Sequence, residues 1–169
     1  MKKILLTATL LLSVLSSLAT AGTVKLPADE PAASIKIPDD WSPEKDDDGN
    51  ILAESPDNAT TVYFEIVADE KEMDTAIEGS MTWLMEEHEV KVDTATQEEK
   101  EFTDDSGRKW SRISWSGEHK EHGPAVVGFL FTEVGQGKVL TLTYWINKKG
   151  AEKSLEALGG IFNSVKNID

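Results

Sequence analysis

Apolar and polar residues alternate along most of the chain with the period of two that is typical of β-strands. On this pattern, strands are predicted at 33–37, 50–54, 60–68, 98–103, 109–117, 125–134 and 139–146. Short turn sequences rich in Asp, Asn, Gly and Pro separate them, such as the stretch 55–58. Connections this short join antiparallel neighbours, so the sheet is predicted to be mainly antiparallel.

Two segments show helical spacing instead. Asp69 is a predicted N-cap with Glu72 three residues later, and apolar residues then recur at intervals of three and four. The face that they form consists of Met73, Ala76, Ile77, Ser80, Met81, Leu84 and His88. A final helix is predicted after Asn147, which would cap it. Its apolar face consists of Ala151, Leu155, Leu158, Phe162 and Val165.

The last two strands are apolar on both faces. Phe129 and Leu130 are neighbours in one strand, and Leu142 and Trp145 lie on opposite faces of the next. A sheet with such strands must be covered on both sides, and the two helices are the predicted covers. We therefore predict an α+β fold, a three-layer α/β/α sandwich around a mainly antiparallel sheet. It forms a single domain over 33–169, after a flexible lead-in at 22–32.

Residues 1–21 have the organisation of a secretory signal peptide. A basic pair precedes an apolar run over 4–18, and small residues follow at 19–21, so cleavage is expected near Ala21 and Gly22. The run is shorter than the about 20 apolar residues of a membrane span, so none is expected in the mature chain. The chain has no cysteine, which argues against a lipoprotein anchor, disulfides and thiolate ligands. We expect a periplasmic or secreted protein.

The charge of the chain limits its partners. The formal net charge is -14 at pH 7, and cleavage would remove two lysines and no acid. Such a surface repels nucleic-acid phosphates and anionic lipid headgroups. Cations and basic protein surfaces are the expected partners, although acidity alone also serves solubility.

An acidic loop at 44–48 is the first candidate for metal binding. Glu44, Asp46 and Asp48 occupy the first, third and fifth positions of an EF-hand spacing, and Gly49 follows at the sixth. The twelfth position is Ser55 rather than glutamate, and the flanking sequence is not helical. Two interpretations stay open: a weak Ca²⁺ or Mn²⁺ site at Asp46 and Asp48, or an Asx-rich loop without metal.

A predicted hairpin is the second candidate. The sequence EHKEHGP places His119 and His122 three residues apart, with Glu118 and Glu121 beside them. Two imidazoles and a carboxylate are suitable ligands for Zn²⁺ or Cu²⁺ if the turn brings them together. The alternative is a solvated hairpin tip.

The sequence does not indicate an enzyme. It has no Gly-x-Ser-x-Gly motif, and a hydrolase would need a catalytic cleft that sequence spacing does not reveal. Two tryptophans are candidates for partner contacts. Trp41 follows Pro38 at the end of the first strand and is predicted either to plug the end of the core or to contact a ligand. Trp83 borders the apolar stripe of the first helix and is either an interface anchor or a packing residue.

Three stretches carry a resemblance to a known family. The sequences IKIPDDW, GNILAESPDNATTVYFEI and LEALGGIFNSVKNI, in this order around one helix and a meander, resemble the PsbP/Mog1-like superfamily. The bacterial DcrB/DUF1795-type exported proteins are the nearest group. The resemblance implies an α/β/α sandwich and a non-catalytic accessory role in binding another protein of the cell envelope, without a cofactor. The alternative function is that of a divalent-metal-binding periplasmic protein.

Overall fold

The computed structural model describes residues 21–27, 29–148 and 151–169, which form ten strands and two α-helices. The strands are β1 Ala21–Leu26, β2 Ala33–Pro38, β3 Glu44–Lys45, β4 Ile51–Glu54, β5 Thr60–Val67, β6 Val90–Thr103, β7 Lys109–His119, β8 Gly123–Glu133, β9 Val139–Asn147 and β10 Lys166–Asn167. The helices are α1 Glu70–Glu86 and α2 Ala151–Asn163. The predicted signal peptide falls on 1–21, and all of it before Ala21 lies outside the described residues.

Seven of these strands form a large antiparallel sheet in the order β3-β4-β5-β9-β8-β7-β6. Strands β6 to β9 are consecutive hairpins, and the β4–β5 hairpin adds to the free edge of β9, with Phe64 opposite Leu142. Helix α1 is the connection from β5 to β6 across the sheet. The predicted α+β fold with a mainly antiparallel sheet is confirmed.

Each face of the large sheet buries a separate apolar cluster. Helix α1 packs on one face, where Leu84 meets Val127 and Trp145. The other face carries the larger cluster, in which Leu142 and Tyr144 of β9 pack with Leu158 of α2. Neighbouring residues in a strand point to opposite faces of the sheet. Tyr144 therefore belongs to the larger cluster, and Trp145 belongs to the cluster beneath α1. Both faces of the late strands are buried, as their apolar pattern indicates.

The face of the large sheet opposite α1 is covered by a small sheet as well as by helix α2. Strands β1, β2 and β10 form a small antiparallel sheet, and Leu26, Ile35 and Ile37 from it are fully buried in the larger cluster. Residues 22–26, predicted as part of a flexible lead-in, thus form strand β1 instead. The two helices are therefore not the only covers, because the small sheet shares one face with α2.

Several boundaries differ from prediction. Strand β6 begins at Val90 rather than at residue 98, and a register shift between Asp93 and Glu98 interrupts its alternation. Helix α2 begins at Ala151, so Asn147 is the last residue of β9 and not a helix cap. The cap of α1 is as predicted, since the Asp69 side chain accepts from the backbone N–H of Glu72. Within the described residues no helix is both long and apolar enough to cross a bilayer.

Candidate binding groove

A groove of about 690 Å³ lies between α1 and β5, and we call it the α1–β5 groove. Its lining includes Tyr63, Glu65 and Val67 from the strand and Glu72, Thr75, Ala76, Gly79 and Trp83 from the helix. The helix side carries small residues at its middle, and a Cβ atom added to Gly79 would have no neighbour within 4 Å. The helix therefore leaves open space over β5 instead of filling it with side chains.

Asp46 lines the groove and stabilises the acidic loop through its hydrogen bonds. Its Oδ1 accepts from the backbone N–H groups of Asp48 at 3.0 Å and Asn50 at 2.9 Å. Its Oδ2 accepts from the Asn50 side chain at 3.1 Å and from the Tyr63 hydroxyl at 2.8 Å. Partial burial acts to raise the pKa of Asp46, but these hydrogen bonds outweigh it and lower that pKa.

The two aspartates predicted to bind calcium thus have different surroundings. Both are exposed, but the Asp46 carboxylate accepts hydrogen bonds from the loop backbone and from Tyr63. The loop is a hairpin turn between β3 and β4, whose strands pair Glu44 with Leu52. The bonds from Asp46 are those of an Asx-type turn, and metal binding at Asp46 and Asp48 stays a prediction.

Aromatic rings form the wall of the groove next to Asp46. The ring centroids of Tyr63 and Trp83 are 5.8 Å apart, and those of Trp83 and His88 are 4.2 Å apart in an edge-on contact. Trp83 is only partly buried and lines the groove. The position predicted for it, beside the apolar stripe of α1, is where the structure has it, and its indole is held in place by two ring neighbours.

Carboxylates give the groove its negative charge. Glu65 is half-buried, and burial first, then the charges of Asp46, Glu72 and Asp48, raise its pKa. Asp69 also lines the groove, and Lys71 is the one cation among its described lining residues. Besides burial, the charges of Asp46, Glu72 and Asp48 contribute to the raised pKa of Glu65, and a cationic group bound here would be stabilised by the same negative field.

The three histidines of the chain all contact the side chain of Trp145. The sequence does not predict this cluster. The centroids of His119 and His122 lie 4.6 Å and 5.4 Å from that of Trp145. His88 accepts a hydrogen bond of 3.3 Å from the Trp145 indole N–H. His88 lies two residues after the end of α1, and the other two histidines lie at the β7–β8 turn, so only the packing of α1 on the sheet brings them together. No spacing in the sequence signals this contact.

The predicted metal ligands of the hairpin are only partly assembled. His119 and His122 have ring centroids 4.5 Å apart, but Glu118 and Glu121 are exposed. Nδ1 of His119 accepts from the backbone N–H groups of Glu121 at 3.1 Å and His122 at 3.2 Å, so this nitrogen closes the turn. Among the residues that the structure describes, no three His, Asp or Glu side chains are grouped so as to hold a metal ion.

Trp41 lies away from the groove. It is 3% exposed and belongs to the larger core cluster, at the end of a short 3₁₀ turn over Asp39–Trp41 that follows Pro38. The interpretation of Trp41 as a plug over the core agrees with this burial. As a residue for partner contacts it is unsuitable, because a partner could not reach its ring. Trp83 is therefore the tryptophan of the two that a partner can contact.

The comparisons with known proteins concern the fold. No family model and no curated protein matches the sequence. The solution structure of the cyanobacterial PsbP protein CyanoP from Synechocystis sp. PCC 6803 is similar with a TM-score of 0.53 at 9% identity, covering 90% of this chain and 95% of that one. LpqN, described as involved in cell envelope biogenesis of Mycobacterium tuberculosis, is similar with a TM-score of 0.50 at 13% identity, covering 88% and 92%. At such identities the similarity shows the fold alone, and the chain has a PsbP/Mog1-like fold.

Proposed function

We propose that this protein is a non-catalytic accessory domain of the cell envelope that binds a cationic segment of another envelope protein in the α1–β5 groove. The signal-peptide pattern of 1–21 supports an exported protein, periplasmic or secreted. The similarity to LpqN, whose description refers to cell envelope biogenesis, is consistent with this location. A fold does not determine a function, so the proposal depends on the groove.

One observation carries the proposal: a partly exposed indole and several carboxylates face the same groove. Trp83 offers a ring on which an ammonium or guanidinium group can lie, a contact that contributes about 0.5–2 kcal/mol. Glu65 and Glu72 are placed to accept charge-assisted hydrogen bonds from the same group. The net charge of -14 would attract a basic segment from a distance and make its association rate sensitive to salt.

Site-specific photo-crosslinking tests where the partner binds. A photoreactive residue at Gly79 lies in the groove, and a Cβ atom there meets nothing. The matched control is the same residue at Asp74, which is exposed on α1 but does not line the groove. In intact envelopes we expect a discrete crosslinked product from position 79 and none from position 74.

A charge variant tests whether the carboxylates recognise the partner. The double variant Glu65→Gln and Glu72→Gln removes two charges, while a glutamine at position 72 can still accept from the backbone N–H of Ala68, as Glu72 does. The crosslink at position 79 should weaken at least about tenfold in this variant, and likewise when salt is raised. Equal products from both positions, or a product at 79 that is indifferent to the double variant, would contradict the proposal.

A further inference from the structure

A second cleft lies on the opposite side of the large sheet, between α2 and strands β6 to β9, and we call it the α2 cleft. Its volume is about 280 Å³. Its apolar lining includes Phe102, Leu130, Ile146, Leu155, Leu158 and Phe162. Leu155 is 53% exposed, an unusual position for a large apolar side chain, and lies at the border of the cleft. The cleft is therefore an apolar space with an opening to solvent.

Two cations and no acid are found among the described residues that line the α2 cleft. They are Arg112 of β7 and Lys148, which follows β9. Acids outnumber bases in this chain by 31 to 17, so a cleft whose described charged residues are both cations differs from the rest of the chain. The α2 cleft thus differs in both charge and polarity from the acidic α1–β5 groove.

The hydrogen bonds of Arg112 are incomplete within the described part of the chain. Its Nε–H is buried and has no hydrogen-bond partner there. Its nearest acid is Glu98, with 3.8 Å between Nη2 and Oε2, which is an ion pair too long for a hydrogen bond. A guanidinium presents its donors in a fixed plane that fits a carboxylate, so an anion in the cleft would satisfy donors that the protein leaves open.

We propose that the α2 cleft binds a single-chain amphiphile with a carboxylate head group, such as a fatty acid. The carboxylate accepts hydrogen bonds from Arg112 and pairs with Lys148, and the alkyl chain lies among the apolar side chains of α2 and the sheet. The volume is near the lower limit of about 300 Å³ for ligand pockets, which accommodates one alkyl chain rather than a two-chain lipid. This function is additional to partner binding, since it uses the other face of the sheet.

Calorimetric titration with decanoate in its monomeric range tests the proposal on the signal-peptide-free protein. Decanol and decyltrimethylammonium carry the same chain with a neutral and a cationic head. We expect decanoate to bind at least about tenfold more tightly than either, as charge-assisted hydrogen bonds require. Decanol binding as tight as decanoate, or binding of anionic phosphatidylglycerol vesicles without binding of the monomer, would overturn the proposal.

Two variants locate the site, with a control on the same strand. Arg112→Gln should weaken decanoate binding about tenfold or more while leaving decanol unaffected. The control Lys109→Gln removes a cation three residues away on β7, whose side chain points to the other face, and should change nothing. Leu155→Asp alters an exposed residue at the border of the cleft, so the fold is retained and decanoate binding should again weaken. Unchanged binding in Arg112→Gln and Leu155→Asp would refute the site, whatever the photo-crosslinking of the other groove shows.

Discussion

At the scale of single residues, Gly128 shows how closely the centre of the sheet is packed. Ser114, Gly128 and Tyr144 are neighbours across β7, β8 and β9. The Tyr144 hydroxyl lies over the glycine and reaches towards Ser114 on the far strand. A Cβ atom added to Gly128 would lie 2.3 Å from the Ile113 carbonyl oxygen and 2.9 Å from the Tyr144 hydroxyl. Glycine normally weakens a strand, but here it makes room for a tyrosine to cross.

Gly128→Ala should therefore lower the free energy of unfolding by about 1–3 kcal/mol or more, as expected for overpacking of a rigid core. Urea denaturation followed by tryptophan fluorescence measures this. The control is Gly79→Ala in α1, where a Cβ atom meets nothing and alanine favours the helix by about 1 kcal/mol. Equal stability of the two variants would show that Gly128 is not closely packed.

At the scale of elements, the small sheet distinguishes this structure from the prediction. Strand β1 pairs along its whole length with β2, and Leu26 is fully buried although only three apolar residues occur in the strand. Its pattern is too short to be recognised, because a strand of this kind depends on its partner for burial and for backbone hydrogen bonds. Asp69 of α1 shows the opposite case: a cap depends on residues three positions apart, so the sequence alone predicts it.

Leu26→Ala tests whether β1 is part of the folded domain. Removal of a fully buried leucine side chain should lower the free energy of unfolding by about 2–5 kcal/mol. Lys25→Ala, at an exposed position of the same strand, should change it by less than about 0.5 kcal/mol. Thermal and urea denaturation of both variants measure these changes in the free energy of unfolding. If the segment were a flexible lead-in, the two substitutions would be equally neutral.

At the scale of the whole molecule, two of the three histidines around Trp145, His88 and His119, couple stability to pH. Burial first, then the neighbouring charge of His119, lowers the pKa of His88, against the opposing effects of Glu54 and Glu87. Burial and the charge of His122 lower the pKa of His119, against Glu121 and Glu89. With the pKa lowered in the folded state, the unfolded chain binds protons more readily, so protonation favours unfolding.

Because these two histidine pKa values are lowered on folding, stability is lost over a defined range of pH. The stabilisation is fully present above the ordinary histidine pKa of about 6.5 and is lost as the pH falls below it towards the lowered folded values. We expect the urea midpoint at pH 5.5 to be lower than at pH 7.5. Glu65 acts in the opposite direction, because with its raised pKa the folded state gains stability as the pH falls from that raised value to the ordinary glutamate pKa.

A variant isolates the contribution of His88. His88→Asn places an amide near the position of Nδ1, where it can still accept from the Trp145 indole, but it does not titrate. The decrease in midpoint between pH 7.5 and 5.5 should be smaller in this variant than in the original protein. A midpoint that rises on acidification, or a decrease that the variant leaves unchanged, would contradict the assignment.

The sequence alone determined the features that depend on local order or on periodicity. These are the mainly antiparallel α+β character, the two helices and the cap at Asp69, whereas for Trp41 the sequence does not decide between a core plug and a ligand contact. Alternation and capping involve residues a few positions apart, so neighbouring sequence is sufficient to predict them. The sequence also identified Trp83 as a candidate for partner contacts. It did not predict the groove that Trp83 lines.

The tertiary structure decided what depends on contacts between distant segments. It placed β1 in the core, gathered the histidines around Trp145 and directed the Asp46 carboxylate towards Tyr63. It also set Arg112 of β7 and Lys148, which follows β9, at one apolar cleft. The period of a strand tells which residues share a face but not which other strand or helix covers that face. That choice depends on the packing of the whole chain, and so do both proposed binding sites.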